Sequence, residues 1–264
     1  MRLIERGSGS PRIAVVGGIH GDEPAGERIV DRLADTATVE DGTLQLVVAN
    51  EPALAAGARY TETDLNRTFP GDIDADEYER ALAPRLVSVL EGADAILALH
   101  TSQSAPPPFA IYSELTETVR RSVTGMPVEY VVDAGSLRDT TLDSTLPNTI
   151  SLETGKQGST DAVEFGLEAT RDFLRVHGIL AGEPTYTETT VATVDEEVPK
   201  GSGRPEVFYE NFEEIPEGEV FARDEEYTHR VTAPGTVPVL ASEHGYEDIF
   251  GLYGRITGTI EPPS

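Results

Sequence analysis

Residues 12–35, RIAVVGGIHGDEPAGERIVDRLAD, place an apolar run, a glycine-rich turn and an amphipathic segment in immediate succession. The run at 12–17 is rich in β-branched residues, which predicts a buried strand. Pro24 suits the first turn of a helix, and apolar residues from Ile29 to Leu33 follow at helical spacing. The stretch therefore predicts strand, loop and helix, the repeating unit of an α/β layer fold.

The same alternation continues to about residue 180. Apolar runs predict further strands at 43–49, 94–99, 109–112, 128–132 and 149–152, and helical spacing predicts helices at 75–91 and 159–176. Between residues 57 and 74 lies a long polar loop. We therefore expect an α/β fold with a largely buried sheet flanked by helices, and ligands beyond the carboxyl ends of its strands.

The composition changes after Gly182, where Thr, Glu, Val and Pro dominate. Short strands separated by Pro and Gly are predicted at 206–209, 220–222, 229–233 and 254–260. The sequence thus predicts an α/β domain at 1–182 and a small β-rich domain at 183–264 that could cap its ligand cleft.

The charge of the chain limits its partners. It contains 20 Lys plus Arg, 47 Asp plus Glu and no Cys, which gives a net charge of −27. Such a charge disfavours nucleic acid and anionic membranes, so we expect neither as a partner. Without Cys there are no disulfides, and any metal must be held by His, Asp or Glu.

The acidic residues are spread over the whole chain, and only two lysines occur, a pattern typical of a protein from a high-salt cytoplasm. At 1 M salt the Debye length falls to roughly 3 Å, which screens repulsion between surface carboxylates. No run of 18 apolar residues occurs, and the N-terminal segment lacks the apolar core of a signal peptide. The sequence therefore predicts a cytoplasmic, halophilic protein.

Two histidines and one glutamate stand where predicted strands meet loops. His20 and Glu23 form an H-x-x-E pair directly after the first strand, and His100 ends the strand at 94–99. The H-x-x-E pair alone is common by chance, but two imidazoles with one carboxylate form a ligand set known from catalytic zinc sites. The same ligands also accept cobalt, manganese or iron.

Other polar residues could complete such a site. Glu153 follows the apolar strand at 149–152, where burial and nearby charge would tune its pKa as for a general base. The loop RYTETDLNRTFPG brings Arg59, Asn66 and Arg67 into a chain that is poor in positive charge. Arginine forks bind carboxylates and polarise carbonyls, although pairing with surface Asp and Glu is an equally ordinary fate.

Five motifs in this order resemble one family. They are G-x-H-G-D-E, N-x-P-A, R-Y-T-x-x-D-L-N-R-x-F-P-G, L-H-T and L-E-x-G. Together they resemble the succinylglutamate desuccinylase and aspartoacylase family, which is related to zinc carboxypeptidases. The resemblance covers about residues 11–180. It implies a zinc-carboxypeptidase-like mixed sheet flanked by helices, a small C-terminal β domain, and hydrolysis of the amide bond of a small N-acyl amino acid.

The resemblance also implies roles for individual residues. His20, Glu23 and His100 match the ligands of one zinc ion (Zn2+) per chain, and Glu153 matches the residue that activates water.

The matches in the long loop concern the substrate. Arg59 matches the arginine that polarises the scissile carbonyl, while Asn66 and Arg67 match the residues that hold the substrate carboxylate.

Some positions depart from the family pattern. Ala98 stands where members usually carry Asp two residues before the second zinc histidine, and Val237 stands in place of a C-terminal tyrosine. Tyr246 and Tyr253 are candidates to replace that tyrosine. Aspartoacylase carries an additional substrate-binding Arg shortly before the catalytic Glu, and the nearest here is Arg138.

Two alternatives to the deacylase remain open. A zinc metallocarboxypeptidase-like peptidase would use the same metal ligands to remove the C-terminal residue of a peptide. A noncatalytic metal- or ligand-binding module would keep the scaffold without turnover, and Ala98 motivates that alternative.

Overall fold

The structure, a computed structural model, describes residues 1–104 and 107–263. Its strands are β1 (Arg2–Ser8), β2 (Arg12–Gly17), β3 (Gly42–Val48), β4 (Ala95–Ser102), β5 (Phe109–Tyr112), β6 (Tyr130–Asp133), β7 (Thr149–Lys156), β8 (Thr189–Pro199), β9 (Glu206–Val207), β10 (Val220–Arg223), β11 (Thr228–Arg230), β12 (Thr236–Val239) and β13 (Ile249–Ile260). Its helices are α1 (Ala25–Thr36), α2 (Glu51–Ala56), α3 (Tyr78–Leu90), α4 (Glu117–Thr124), α5 (Leu142–Thr145) and α6 (Thr160–Val176). None of the helices in these two ranges is both long and apolar enough to cross a membrane.

Ten strands form one mixed sheet, in the order β1, β3, β2, β4, β7, β5, β6, β8, β13 and β12. The four adjacent strands β3, β2, β4 and β7 run parallel to one another, and β5 lies antiparallel beside β7. A second, three-stranded antiparallel sheet contains β11, β10 and β9. This arrangement confirms the predicted α/β class with a mixed sheet flanked by helices.

Helices cover both faces of the sheet because the central strands are apolar on both sides. In β2, Ile13 and Val15 pack into the core under α1, α4 and α6, whereas Ala14 and Val16 pack into the core under α3. All four side chains are fully buried. Burying a side chain as large as valine or isoleucine stabilises a fold by about 1.5–3 kcal/mol, so the run RIAVVG is a strong determinant of the layer structure.

The order of the strands brings the predicted site residues together. β2, β4 and β7 are neighbours and parallel, so their carboxyl ends lie at the same edge. His20 follows β2, His100 lies near the end of β4, and Glu153 lies in β7 directly opposite His100 in the strand register.

Two close backbone approaches fix the loop that carries His20. A Cβ atom on Gly17 would lie 2.3 Å from the carbonyl oxygen of Gly26 in α1. A Cβ atom on Gly21 would lie 2.0 Å from the carbonyl carbon of Ala53 in α2. Only glycine fits at both positions, and the loop is therefore held tightly against the two helices.

The C-terminal region joins the main sheet. β8, β13 and β12 extend the large sheet through β6, and only β9, β10 and β11 lie outside it. The predicted domain boundary at residue 183 stays a prediction, but hydrogen bonding runs across it. Six of the helices and strands, β1, β8, β12, α2, α4 and α5, were not predicted from the sequence.

Candidate active site

Three side chains form a compact cluster at the edge of the sheet. His20 Nδ1 lies 2.7 Å from Glu23 Oε1, and His100 Nδ1 lies 3.3 Å from Glu23 Oε2. The two imidazole centroids are 5.2 Å apart. All three side chains are buried, and one potential ligand atom from each lies within 4.8 Å of the others. The structure therefore brings together the three predicted metal ligands.

The cluster is strongly coupled electrostatically. Burial alone would lower the pKa of His20, but the carboxylates of Glu23 and Asp64 raise it to about 9. Burial would raise the pKa of Glu23, yet the two imidazoles hold it well below its usual range. The site is therefore built to place positive charge beside the Glu23 carboxylate.

The donor set fits a divalent cation. A buried set of two imidazoles and one carboxylate, with no Cys and no Lys among its members, matches the ligands of open catalytic zinc sites. A divalent ion would provide the positive charge that the buried carboxylate requires in this setting.

The two histidines differ in their outer contacts. Nε2 of His20 lies 3.1 Å from Oδ1 of Asp64, a contact of the kind that orients metal-binding imidazoles. Nε2 of His100 is buried and has no hydrogen-bond partner among residues 1–104 and 107–263. Ala98, two residues earlier on β4, offers no polar atom to it. The departure from the family pattern at Ala98 thus coincides with a His100 Nε2 that has no hydrogen-bond partner in the described chain.

Glu153 occupies the position of a base beside this cluster. Its side chain is 9% exposed, and Oε2 is buried without a hydrogen-bond partner in the described chain. Burial, together with the charge of Glu23, raises the pKa of Glu153 to about 7, although the two imidazoles oppose the change. A carboxylate with a free, buried oxygen and a pKa near neutrality can accept and return a proton.

Arg59 is held in place by two carboxylates. Its Nε donates to Asp64 Oδ2 at 2.9 Å, and its Nη1 donates to Glu23 Oε1 at 3.3 Å. Its backbone oxygen accepts a hydrogen bond from Gly21, which ties this loop to the loop of His20. Arg59 is thus the guanidinium that lies against the cluster.

Asn66 and Arg67 lie in a short 3-10 turn, Leu65–Arg67, which Asp64 caps. Asn66 Oδ1 accepts a hydrogen bond from the backbone of Leu142 at 3.0 Å, so its amide is oriented by α5. Arg67 Nη1 donates to the backbone oxygen of Asn66 at 2.7 Å, and in the described chain Arg67 makes no ion pair. Burial and the nearby charge of Arg138 lower the pKa of Arg67. Such a cation attracts an anionic ligand.

One cavity is lined by all seven residues predicted for the site: His20, Glu23, Arg59, Asn66, Arg67, His100 and Glu153. Their proximity is therefore an observation, whereas their roles stay predictions.

Sequence reasoning assigned no role to Asp64, and it named Arg138 and Tyr246 only in comparison with family residues that this chain lacks. Asp64 bridges His20 and Arg59, and the D-L-N-R string that contains it was the available signal. Arg138 and Tyr246 line the cavity, with the guanidinium 5.6 Å from the ring centroid. Of the two tyrosine candidates, Tyr246 faces the cavity, while Tyr253 packs against Phe221.

Residues of the predicted C-terminal domain form part of the cavity wall. Val239 and Leu240 line it, whereas Val237, at the position of the family tyrosine, is buried in β12. The sequence motifs did not indicate this apolar contribution.

Comparison with known proteins agrees with this arrangement. Residues 9–175 match the model of the succinylglutamate desuccinylase/aspartoacylase catalytic domain. The chain is 29% identical over 258 residues to a succinylglutamate desuccinylase of Burkholderia lata, a match that covers 83% of this chain and 72% of that protein.

Two further relatives extend the comparison. An N-alpha-acetyl-L-2,4-diaminobutyric acid deacetylase of Halomonas elongata is 28% identical over 208 residues, and the match covers 69% of this chain but only 58% of that protein. The crystal structure of a succinylglutamate desuccinylase/aspartoacylase from Rhodobacter sphaeroides superimposes with a TM-score of 0.79 at 21% identity, covering 97% of this chain and 88% of that one.

The family match spans more than half of the chain and contains every predicted site residue. The chain therefore belongs to the succinylglutamate desuccinylase/aspartoacylase family of N-acyl amino acid deacylases.

Proposed function

We propose that this protein is a zinc-dependent hydrolase that cleaves the amide bond of a small N-acyl amino acid. One observation supports this most directly. The same cavity is lined by a buried His2Glu cluster, by a carboxylate whose Oε2 has no hydrogen-bond partner in the described chain, and by an arginine that forms no ion pair there. These are the parts that amide hydrolysis of an anionic substrate requires.

Zinc held by His20, Glu23 and His100 would supply Lewis-acid chemistry, which acidifies water and polarises the acyl carbonyl. Glu153 would accept the proton of the attacking water and return it to the leaving amine, so that its proton balance closes over one turnover. Arg59 would stabilise the negative charge that develops on the acyl oxygen.

Arg67 and the amide of Asn66 would hold the substrate carboxylate. The guanidinium lacks a carboxylate partner in the described chain, and α5 fixes the orientation of the Asn66 amide. A positioned anchor lowers the entropy that the reacting groups must lose. This pocket has to attract an anion into a protein of net charge −27, and molar salt screens the distant repulsion more than the buried contact.

The substrate class can be tested directly. The purified, zinc-loaded protein is offered a panel of N-acyl amino acids and short peptides in molar KCl, and the released amino acid is measured by chromatography. We expect release from N-acyl amino acids. Release from peptides alone would instead identify the metallocarboxypeptidase-like alternative, and no release with zinc bound would identify a noncatalytic module.

Arg67→Met is expected to raise KM for N-acyl amino acids by about 10- to 100-fold, because a hydrogen bond to a charged group contributes about 1.5–3 kcal/mol. The KM of Arg67→Lys should lie between those of Arg67→Met and the wild type, since lysine keeps the charge without the planar fork. Steady-state kinetics checks both. Arg85→Met, at an exposed position of α3, is the matched control. A fall in kcat with unchanged KM would contradict the anchoring role.

A further inference from the structure

Three guanidiniums line the cavity, and among the described residues Arg67 is the one of them that forms no ion pair. Arg59 is paired with Asp64 and Glu23. Arg138 lies 2.7 Å from Glu197 on β8, and its Nε donates to the same carboxylate at 2.8 Å. Arg67 makes no such pair in the part of the chain that the structure describes. Within the described chain Arg67 is therefore the guanidinium that can pair with a ligand carboxylate, and the charge of Asp64 acts on it without forming an ion pair.

The Arg138 guanidinium is held by Glu197 through two of its nitrogen atoms. Its side chain is 17% exposed, and both Nη2 and Nε contact the same Glu197 oxygen. Its guanidinium also lies 5.6 Å from the ring centroid of Tyr246, whose other neighbour is Arg59 at 6.0 Å. Glu197 thus neutralises a cation that would otherwise face the cavity.

Part of the remaining cavity wall is apolar, while side chains such as Ser102, Gln103 and Ser242 line other parts of it. The apolar part is formed by side chains from β5, β6, β8, β12, β13 and the loop after β6: Ile111, Val132, Leu137, Val194, Val239 and Leu252. These residues belong to or pack against one hydrophobic cluster of the sheet. A second carboxylate placed against this part of the wall would lose its hydration without gaining a partner, whereas a hydrocarbon group would gain from burial.

We propose that the cavity selects N-acyl amino acids that carry a single carboxylate and an otherwise apolar body, and that Glu197 enforces this choice by occupying Arg138. The inference rests on the proposed function. The cavity would thus discriminate in two ways. Glu197 pairs with the guanidinium that a second substrate carboxylate would require, and the apolar part of the wall favours binding of a hydrocarbon group.

The first experiment compares near-isosteric pairs in molar KCl. N-acetyl-leucine is paired with N-acetyl-aspartate, and N-(4-methylpentanoyl)-alanine is paired with N-succinyl-alanine. One pair varies the amino acid and the other varies the acyl group. We expect kcat/KM to favour the apolar member of each pair by at least about tenfold. Faster hydrolysis of the dicarboxylate in either pair would overturn the proposal.

The second experiment tests the role of Glu197. Glu197→Gln should reduce the preference for the apolar member by about tenfold, because Arg138 becomes available to the second carboxylate. The gain in dicarboxylate hydrolysis should disappear in the double variant Glu197→Gln with Arg138→Met. Glu196→Gln, the exposed neighbour on β8, makes the same charge change and should leave the preference unchanged. An equal shift in both single variants, or none in Glu197→Gln, would overturn the assignment.

A binding measurement separates this inference from the proposed function. Calorimetry on the full-length Glu153→Gln protein compares the affinities for N-acetyl-leucine and N-acetyl-aspartate without turnover. If the wild type hydrolyses nothing, the proposed function fails, and the binding preference alone then decides the inference. Tighter binding of N-acetyl-aspartate would overturn it, and tighter binding of N-acetyl-leucine would support it.

Discussion

Glu153→Gln is expected to lower kcat by about 10²- to 10⁴-fold while the protein keeps its zinc, because a positioned general base contributes an acceleration of that size. Glutamine has nearly the same shape as glutamate but cannot accept a proton. The side chain is 9% exposed, and its Oε2 has no hydrogen-bond partner in the described chain. The substitution should therefore remove the proton acceptor with little disturbance of packing.

Two measurements check this result: kcat for the best substrate of the panel, and the zinc content of the dialysed protein. Glu114→Gln, an exposed glutamate after β5, makes the same chemical change outside the cavity and serves as the control. A variant that retains more than about a tenth of wild-type kcat would show that another group moves the proton. Loss of zinc from the variant would instead assign Glu153 to the metal ligands.

The convergence of the site could be predicted because it follows from the pattern of buried strands. His20, His100 and Glu153 each follow or end an apolar run, and parallel runs of this kind place their carboxyl ends together. The structure confirms that β2, β4 and β7 are neighbours. Local patterns were sufficient here since each strand contains a short buried run that is rich in apolar residues and thus easy to recognise.

The C-terminal strands could not be predicted in the same way. In β8 the three consecutive acidic residues at 195–197 interrupt the alternation of polar and apolar side chains, and all three are exposed. β8 pairs with β6 on one side and with β13 on the other, so its neighbours are distant in the sequence. Such pairing depends on tertiary contacts that a local pattern does not contain.

The sequence named Arg138 and Tyr246, but it did not indicate the contact of Arg138 with Glu197 or the place of either side chain in the cavity, for a related reason. Arg138 and Tyr246 lie in loops, and their positions depend on Glu197 and on the hydrophobic cluster beside them. The four-residue helix α5, which orients Asn66 through the backbone of Leu142, is too short to show helical spacing. The sequence thus indicated the chemistry of the site more completely than its selectivity.

The unequal support of the two histidines bears on the metal. Asp64 contacts Nε2 of His20, and Arg59 in turn holds Asp64. His100 has no corresponding contact among the described residues. Outer contacts of this kind are often worth 10- to 100-fold in metal affinity. A metal bound by the proposed ligands would therefore depend on the direct bond to His100, since no outer contact among the described residues orients that imidazole.

His100→Ala is expected to weaken zinc binding by more than about 100-fold and to abolish hydrolysis, because a direct ligand contributes more than an outer contact does. Thermal unfolding gives a readout besides activity. Zinc at about 100 times its Kd should stabilise the wild type by about 2.7 kcal/mol, which corresponds to a rise in Tm of about 5–10 °C. This rise should vanish in the variant at the same zinc concentration.

The control for this substitution is His244→Ala, which removes an exposed imidazole. This variant should bind zinc as the wild type does, and zinc should raise its Tm by the same amount. Because a three-residue ligand set cannot lose one imidazole without losing affinity, a His100→Ala protein that keeps the full zinc-dependent rise would show that His100 does not bind the metal. The cluster of His20, Glu23 and His100 would then be a buried hydrogen-bonded network, with the raised pKa of His20 as its main electrostatic feature.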